Sequence, residues 1–325
     1  MEDINVRIIA KACELPELHS TDFFHSPELF RIMENTSGHS PYMLIAEDGE
    51  GNVLGHVLAT VRRRGSLIPP YFFTQVRVYG EGEYREDVNR QEVFGVILRK
   101  LTAYFSRKLC LYIEFSDMGE KMFGYKHFRR NDFFPVSWLE IHNSLHSLPP
   151  EERLLDKARH HIERAYNHGV ITREAKSDGE IESFYNILRH QRYSRMRRFI
   201  PPKEQIENIA HSECGQVFVT LYKGKIIGGS VCVYSEGNAY LWYMATRSKS
   251  YHMLHPDTVT VWNAIKYAYA NNYAHIRFLD CGLPFFSNSY RDFVLSFGGK
   301  PVSKYRWFRF TLPWVNNVLF RFFRN

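Results

Sequence analysis

Near the C-terminal end of the chain, the residues from Phe278 to Gly299 read FLDCGLPFFSNSYRDFVLSFGG. A short strand predicted over 276–279 ends at Asp280, and a proline-containing loop follows over 284–289. A helix over 290–297 and a strand over 300–310 come next, and a longer helix is predicted upstream over 256–270. This alternation of strands and helices predicts a sheet packed against helices.

The rest of the second half adds further strands to the same pattern. Strands are predicted over 170–175, 217–222, 226–234 and 239–244, and a helix over 177–198. Glycine-containing turns at Lys223-Gly224 and Glu236-Gly237-Asn238 separate the later strands. These elements predict an antiparallel meander followed by a crossover helix.

The first half shows the same order of elements. Its strands are predicted over 6–10, 41–47, 53–61, 70–79, 109–115 and 136–142, and its helices over 27–35 and 89–107. Two weakly similar copies of one architecture are the economical interpretation. Pro149-Pro150 marks a break, and the charged helix that follows is interpreted as a connector. The predicted domains are therefore 1–148 and 169–325, joined by a connecting helix over 149–168.

Composition places the chain among globular proteins. Its 325 residues are 44% hydrophobic and 24% charged, which excludes disordered and collagen-like classes. A net charge of +7 favours anionic partners. Five scattered cysteines form no C-x-x-C pair, so neither a zinc site nor a disulfide framework is indicated, and a reducing cytoplasmic location is expected. No stretch is long and apolar enough to suggest a membrane span.

Common catalytic motifs are missing from the sequence. It contains no G-x-S-x-G, H-E-x-x-H, G-x-x-x-x-G-K-[ST] or G-x-G-x-x-G. Serine hydrolase, zinc protease, P-loop and dinucleotide-binding functions therefore lose their usual support. No metal site is predicted, because His252 and His255 have no carboxylate at a suitable spacing, and His255-Pro256 is better interpreted as the start of a helix.

Several phrases resemble the Fem-type peptidyltransferases and related tandem GNAT-like acyltransferases. In the second half these phrases are Arg159–Ala165, Gly169-Val170, Phe184-Tyr185, 259–269, Phe278–Gly282, Tyr290–Phe293 and Phe297–Gly299. In the first half they are Phe23–Glu28 and Tyr79–Gly82. The resemblance implies an α+β fold with two tandem GNAT-like (acyl-CoA N-acyltransferase) domains.

The resemblance also implies an activity. Family members transfer an aminoacyl group from charged tRNA to an amine of a peptidoglycan precursor, and other relatives are thought to use acyl thioesters. No bound cofactor is expected, and the donor is either aminoacyl-tRNA or acyl-CoA. The acceptor, a small-molecule or lipid-linked precursor, is expected mainly on the first domain and across the cleft between the two. Many members carry a Phe-Lys pair in the last helix, where this chain has Phe293 and Val294.

Amide formation from an ester or thioester needs a proton acceptor and donors aimed at the developing oxyanion. Asp280, Tyr290 and Arg291 are the candidate catalytic residues, since Asp280 follows a strand and Arg291 is the cation nearest to Phe293. Each has a structural alternative. Asp280 could bond backbone at the strand end, and Tyr290 could serve packing. Arg291 would face elsewhere on the predicted helix.

Two loops are the candidate substrate-binding segments. In GNAT enzymes, a loop between the fourth strand and the next helix holds the diphosphate of acyl-CoA on backbone N–H groups. The equivalent loop of the second half lacks glycine but offers Arg247, Lys249 and His252, with a solvated basic turn as the alternative. In the first half the equivalent residues are Tyr79, Gly80 and Gly82, which would approach the acceptor or form an ordinary turn with positive φ.

Three basic segments suggest further partners. The run 189–198 and the hairpin Arg62-Arg63-Arg64 could attract tRNA or nucleotide-sugar phosphates, or form solvated surfaces. The aromatic and cationic tail 312–325 would suit peripheral contact with an anionic membrane if exposed, and would close the second core if packed.

Three functions remain open from the sequence. The first is an N-acyltransferase or aminoacyltransferase that acts on an amine of a cell-envelope or polysaccharide precursor. The second is an acyl-CoA-dependent N-acyltransferase outside wall synthesis. The third is a catalytically silent ligand-binding relative, consistent with Val294 and the glycine-free loop. The oligomeric state cannot be inferred.

Overall fold

A computed structural model gives the fold and describes residues 4–67, 70–108, 110–119, 121–194 and 200–323. It divides the chain into two units. Unit 1 contains Met1–Trp138 and Ser303–Asn325, and unit 2 contains Leu139–Val302. Each unit is a sheet with helices packed against it.

The strands are β1 (Asn5–Ile9), β2 (His39–Glu47), β3 (Val53–Leu67), β4 (Pro70–Tyr79), β5 (Glu83–Tyr84), β6 (Tyr112–Ser116), β7 (Phe134–Ser144), β8 (Val170–Glu174), β9 (Gly215–Tyr222), β10 (Lys225–Ser235), β11 (Asn238–Thr246), β12 (His275–Phe278) and β13 (Lys300–Phe310). The helices are α1 (Pro27–Glu34), α2 (Arg90–Arg107), α3 (Tyr125–Arg130), α4 (Pro150–Arg153), α5 (Asp156–Asn167), α6 (Asp178–Ser194), α7 (Lys203–Ala210), α8 (Pro256–Ala270), α9 (Ser289–Leu295) and α10 (Pro313–Phe322).

Most predicted elements are confirmed. The predictions 70–79, 256–270 and 300–310 coincide with β4, α8 and β13. β3 extends to Leu67, beyond the predicted end at 61, while α3, α7 and α10 were not predicted. Of the basic run 189–198, the residues from 195 onward lie outside the described part of the chain.

The sheet of unit 1 has the strand order β1-β2-β3-β4-β6-β13, with β5 beside β3. β4 and β6 pair in parallel, whereas β13 pairs antiparallel with β6. α2 begins at the cap residue Asn89, whose side chain accepts from the Glu92 N–H, and it packs its apolar side on one face of the sheet. Trp307 of β13 is fully buried in this core and stacks on Phe128 of α3 at 4.6 Å.

The sheet of unit 2 has the equivalent order β8-β9-β10-β11-β12-β7. β11 and β12 pair in parallel, as β4 and β6 do in unit 1, and β7 pairs antiparallel with β12. α8 starts at Pro256 and packs Val261, Trp262 and Ile265 against the sheet. The two units therefore repeat one topology.

The division of the chain differs from the predicted domains 1–148, 149–168 and 169–325. β13 lies at the end of the second half in sequence but pairs with β6 of unit 1, whereas residues 141–144 of β7 pair with β12 of unit 2. Each sheet thus takes its last strand from the opposite half of the sequence. A strand pattern shows that a segment is extended, but it does not show which strand will be its neighbour.

The predicted connecting helix belongs to unit 2. It consists of α4 and α5, and Leu154, Ala158 and Ile162 are buried in the same core as α8. Ala158 and Ile162 are four residues apart and so lie on one side of α5, whereas Leu154 lies between α4 and α5. In the described part of the chain, no helix is long and apolar enough to span a bilayer.

Candidate active site

The strand register of unit 2 is broken at one end of the parallel pair. The pairing of β10 with β11 shifts between Val231 and Cys232, which leaves Trp242 as the extra residue of a β-bulge. The parallel pairing of β11 with β12 ends at Leu241 and Phe278, immediately before this bulge. β11 then continues to its end without β12 alongside it.

This geometry suits the binding of an acyl group. A bulge turns backbone groups away from the regular ladder, and such irregularities are frequent beside active sites. Ligands of sheets with parallel strands bind beyond the carboxyl ends of those strands. Backbone N–H groups at such a position can be aimed at the oxygen that becomes negative during acyl transfer.

The equivalent strands of unit 1 keep their register. β3 and β4 pair without interruption, and β4 stays paired with β6 as far as Tyr79 and Ser116. The Gly80 N–H then donates to the Ser116 carbonyl at 2.8 Å, which extends the ladder beyond the strand. The features that suit an acyl group are therefore found in unit 2 and not at the equivalent described residues of unit 1.

The predicted donor loop joins β11 to α8. Arg247, Lys249 and His252 are exposed on it, as expected for a basic turn. Its backbone is folded on itself, because the N–H groups of Ser250 and Tyr251 each donate to the Arg247 carbonyl at 3.0 Å. These two amides are already used, so an anion at this loop would be bound mainly by side chains.

Two features at the start of α8 disfavour the binding of a diphosphate there. Pro256 occupies its first turn and supplies no N–H group. Asp257 follows, and its Oδ1 accepts a hydrogen bond from the Thr258 N–H at 2.9 Å. A carboxylate at a helix N-terminus satisfies the positive end of the helix dipole and repels a second anion. The start of α8 therefore offers little to a second anion.

His255 precedes α8 with a positive φ of 43° and supplies the carbonyl that accepts from the Thr258 N–H. The position confirms that His255-Pro256 starts the helix, although the imidazole makes no capping bond. That ring instead stacks on His161 of α5, with centroids 3.6 Å apart. Burial lowers the pKa of both imidazoles, and nearby cations lower it further. Among the described residues, no cluster could hold a metal ion.

The candidate catalytic residues Asp280 and Tyr290 flank the loop after β12. Asp280 is exposed and has a positive φ of 64°, directly after the short strand. Asn288 caps α9 by accepting from the Tyr290 N–H at 3.0 Å, and it ties the loop back by donating to the Cys281 carbonyl. The Tyr290 ring is partly buried against the unit 2 core. Their catalytic roles remain predictions.

Arg291, the third candidate, holds the same loop. Its guanidinium donates to the carbonyls of Leu283 at 3.1 Å and Phe286 at 2.9 Å. Phe285 and Phe286 are 90% and 67% exposed on this fixed loop. The geometry gives Arg291 a positioning role. Val294, where the resemblance would place a lysine, is fully buried in the core.

In unit 1, Tyr79 ends β4, and Gly80 and Gly82 follow it. The guanidinium of Arg77 lies 4.6 Å from the Tyr79 ring centroid, and Arg62 donates to the Tyr79 hydroxyl at 3.4 Å. Gly80 and Gly82 have positive φ values of 84° and 98°. These backbone angles explain both glycines as turn residues, so the glycines themselves give no evidence for a binding role.

Two buried histidines lie beneath this loop. The nitrogens of His25 are each 3.0 Å from a backbone N–H nitrogen, Nδ1 from that of Leu58 and Nε2 from that of Gly82. Burial lowers the pKa of His25 and of His56 to about 4. His56 Nε2 lies 3.6 Å from Glu83 Oε2. The loop is therefore packed on uncharged imidazoles at neutral pH.

Glu83 fixes the other side of the loop. Its carboxylate accepts from the Thr21 N–H at 2.7 Å and from the Ser20 hydroxyl. Burial acts to raise the pKa of Glu83, but these hydrogen bonds outweigh burial and lower it. An ionised carboxylate thus ties the segment before α1 to β5.

The sequence analysis missed Asp117, which follows β6 as Asp280 follows β12. Asp117 is 6% exposed, and burial raises its pKa to about 8. Its carboxyl group accepts from Trp307 Nε1 at 3.1 Å and from the Tyr305 N–H at 3.2 Å. The sequence contains a signal that could have identified Asp117, because the pattern F-x-D-x-G occurs at both 115–119 and 278–282.

A buried charge network lies on β4, β6 and β13, on the face of the sheet opposite to Trp307. Glu114 pairs with Arg77, and with Arg306 at 3.4 Å. The Arg306 guanidinium also lies 4.0 Å from the Trp138 ring. Tyr79, Glu114 and Ser116 face the same side of the sheet, as the register of β4 and β6 shows. Unit 1 therefore gathers its predicted residues and Asp117 at one end of the parallel pair.

Comparison with known proteins assigns the second unit. Residues 153–287 match the family described as the acetyltransferase (GNAT) domain. Most of unit 2 therefore matches a GNAT domain. This match confirms the predicted acyltransferase class, and no curated protein sequence matches the chain.

The whole chain resembles proteins with two GNAT-like units. It is similar to FemX, with a TM-score of 0.64 and 9% identity over 94% of this chain and 95% of that one. It is similar to L-PGS from Bacillus licheniformis, with a TM-score of 0.59 and 13% identity over 94% and 99%. A tandem GNAT protein from the clavulanic acid biosynthesis pathway gives 0.56 and 7% over 95% and 99%. The predicted tandem GNAT-like fold is confirmed.

Proposed function

We propose that this chain transfers an aminoacyl group from an activated ester to an amine of an anionic cell-envelope precursor. The proposal rests on one observation above all, the bulge at Trp242 where β12 stops pairing with β11. The fold similarity to FemX and L-PGS supports the choice of acceptor class. The donor binds unit 2, and the acceptor binds unit 1.

The reaction forms an amide bond and breaks an ester bond. The neutral amine attacks the donor carbonyl, and backbone N–H groups at the bulge of β11 stabilise the oxyanion of the tetrahedral intermediate. The intermediate expels the ester oxygen, which takes up a proton as the amine loses one. No covalent intermediate with the protein is required.

Asp280, which directly follows β12 in unit 2, is proposed as the group that takes the amine proton. Tyr290, on the other side of the loop after β12, is proposed to contact the donor. The arginines around Tyr79 and Glu114 favour an acceptor that carries phosphate or carboxylate groups.

The donor is proposed to be aminoacyl-tRNA. The amides of Ser250 and Tyr251 are occupied, and Asp257 lies at the start of α8, which disfavours the diphosphate of acyl-CoA. Arg247 and Lys249 remain exposed and can bind phosphates of a nucleic acid through their side chains. An acyl-CoA donor is the second candidate, supported by the GNAT family match of residues 153–287.

The test uses the purified chain with labelled aminoacyl-tRNA, or labelled acetyl-CoA, and a nucleotide-linked muropeptide as acceptor. We expect label from aminoacyl-tRNA in a product that resists mild alkali, because amides survive where esters hydrolyse. Transfer from acetyl-CoA alone would favour the second candidate. Stabilisation of the chain by ligands without any transfer would favour the silent ligand-binding function.

Two variants link the reaction to named residues. Asp280→Asn should abolish transfer but keep thermal stabilisation by the donor, since Asp280 is proposed to act on the acceptor amine. The double variant Arg247→Gln/Lys249→Gln should weaken donor binding, so that transfer requires a higher concentration of the donor. Asp132→Asn, an exposed acidic residue of unit 1, is the matched control and should leave transfer unchanged.

A further inference from the structure

The C-terminal helix α10 is fixed to unit 1 along one side. Asn316 is 4% exposed, accepts from the Phe310 N–H at 2.8 Å and donates to the Asp132 carbonyl at 3.0 Å. After the helix, the Phe323 ring stacks on Phe134 with centroids 5.4 Å apart. These contacts determine which side of α10 faces away from the protein.

The outward side of α10 is apolar. Trp314, Val318 and Phe322 are 70%, 62% and 78% exposed. A spacing of four residues aligns them along the helix, so they form one continuous stripe. Because Asn316 and Phe323 are held on the other side, the stripe cannot turn inward to join the core of unit 1.

Cations lie on α10 and on the adjacent α3. Arg321 is exposed on α10 itself, and on a helical projection it falls beside Trp314. Arg129 of the adjacent α3 places its guanidinium 4.0 Å from the Phe320 ring. The charged residues of segments 121–132 and 312–323 are the cations Lys121, Lys126, Arg129, Arg130 and Arg321 and the single acid Asp132. The exposed stripe is therefore apolar, and the charges of α10 and of the neighbouring segment are mainly positive.

We propose that α10 binds the surface of an anionic lipid bilayer. Trp314, Val318 and Phe322 would enter the boundary between headgroups and acyl chains, where aromatic side chains are favoured. The neighbouring arginines and lysines would lie at the level of the lipid phosphates and be attracted by the negative surface potential. The contact is peripheral, and it is independent of the reaction proposed above.

A bilayer fits this stripe better than a second protein. Three side chains expose a few hundred Å² at most, whereas a stable protein interface needs about 800 Å² from each partner. A lipid surface requires no complementary shape, so a narrow apolar stripe with neighbouring cations is sufficient.

The test measures cosedimentation of the full chain with vesicles of phosphatidylglycerol and phosphatidylcholine, and with vesicles of phosphatidylcholine alone. We expect binding to the anionic vesicles that weakens as salt rises. Trp314→Ser/Phe322→Ser should weaken this binding at least about tenfold, because two aromatic side chains lose their burial in lipid. Arg321→Gln should reduce the dependence on salt. Phe285→Ser is the matched control, since Phe285 is an even more exposed aromatic residue of unit 2.

Thermal unfolding checks that each variant is folded. Because the substituted side chains are exposed, the unfolding temperature should stay at the wild-type value. Equal vesicle binding by wild type and the double variant would overturn the proposal, as would an equal loss in Phe285→Ser. Sedimentation velocity without lipid tests whether a second copy of the chain covers the stripe instead. A dimer that disappears in Trp314→Ser/Phe322→Ser, together with unchanged vesicle binding, would assign the stripe to a second copy of the chain. Transfer to a soluble acceptor should not respond to Trp314→Ser/Phe322→Ser or to Arg321→Gln.

Discussion

Trp307 donates a hydrogen bond from its Nε1 to Asp117 Oδ1 at 3.1 Å, so a strand from the end of the sequence holds the buried carboxyl group of unit 1. The Tyr305 N–H adds a second donor to the same carboxyl group. Hydrogen bonds of this kind favour the ionised form, but burial is stronger and raises the pKa of Asp117 to about 8. The carboxyl group therefore keeps its proton well above the pH at which an unfolded aspartate loses it.

Asp117→Asn should change how stability depends on pH. In wild type, native Asp117 holds a proton that the unfolded chain releases above about pH 4, so the free energy of unfolding falls as pH rises from about 4 to 8. The loss is on the order of 5–6 kcal/mol, and asparagine removes it. Urea unfolding at pH 5, 7 and 9 measures the effect, with Asp132→Asn as the control. Parallel pH curves for wild type and Asp117→Asn would contradict this assignment.

His56→Gln should reduce the sensitivity of the protein to acid. Native His25 and His56 stay uncharged to about pH 4, while the unfolded chain takes up their protons below about 6.5. Stability contributed by these residues is therefore complete above about pH 6.5 and is lost as pH falls toward 4.

Replacing one of the two histidines should lower the slope of unfolding free energy against pH, between pH 5 and 6, by ~1.4 kcal/mol per pH unit. Chemical unfolding at several pH values measures this slope. His168→Gln, at an exposed position, should leave the slope as in wild type. A wild-type slope in His56→Gln would show that His56 is not the group that resists protonation.

Local patterns predicted most of the fold. Hydrophobic alternation and turn residues locate β4, β10 and β11, and the repeated order of elements predicts two similar units. The exchange of last strands could not be predicted, because β7 and β13 have similar strand patterns whichever sheet they join. The C-terminal segment 312–325 could not be predicted fully either. The sequence allowed it to be packed or exposed, whereas α10 packs one side against the protein and exposes the other.

The candidate site was predicted only in part. Tyr79, Gly80 and Gly82 were identified because they occupy the position equivalent to the GNAT loop at the end of a predicted strand, which depends on the local order of elements. The importance of Asp117 depends on burial beside Trp307, which lies 190 residues away in the sequence. The bulge at Trp242 could not be predicted from composition or periodicity, because it depends on how β11 pairs with β10.

Arg291→Gln should loosen the loop after β12. The Arg291 guanidinium donates to the carbonyls of Leu283 and Phe286, and a glutamine amide is too short and has too few donors to replace both bonds. Chymotrypsin cleaves after aromatic residues, so the variant should be cut faster near Phe285 than wild type. Mass spectrometry locates the cut.

Arg277→Gln, a substitution on β12 itself, is the control for a general loss of stability in this region. If Arg291 acts on substrate rather than on the loop, the variant would lose transfer activity while the rate of cleavage stayed at the wild-type value. If it positions the loop, both the cleavage rate and the Michaelis constant for the donor should rise.

Gly82→Ala should destabilise unit 1 more than any substitution of an ordinary turn glycine. Gly82 has a φ of 98°, and a Cβ there would lie 2.6 Å from Val57 Cγ2 and 2.8 Å from the His56 carbonyl oxygen. Gly169→Ala is the matched control, because its φ is also positive at 82° but nothing lies within 4 Å of the added carbon. The backbone cost alone is roughly 1–2 kcal/mol, and the clash with fixed atoms at Gly82 should add about 1–3 kcal/mol more. Urea unfolding of both variants measures the difference, and equal losses would show that the loop moves freely away from His56 and Val57.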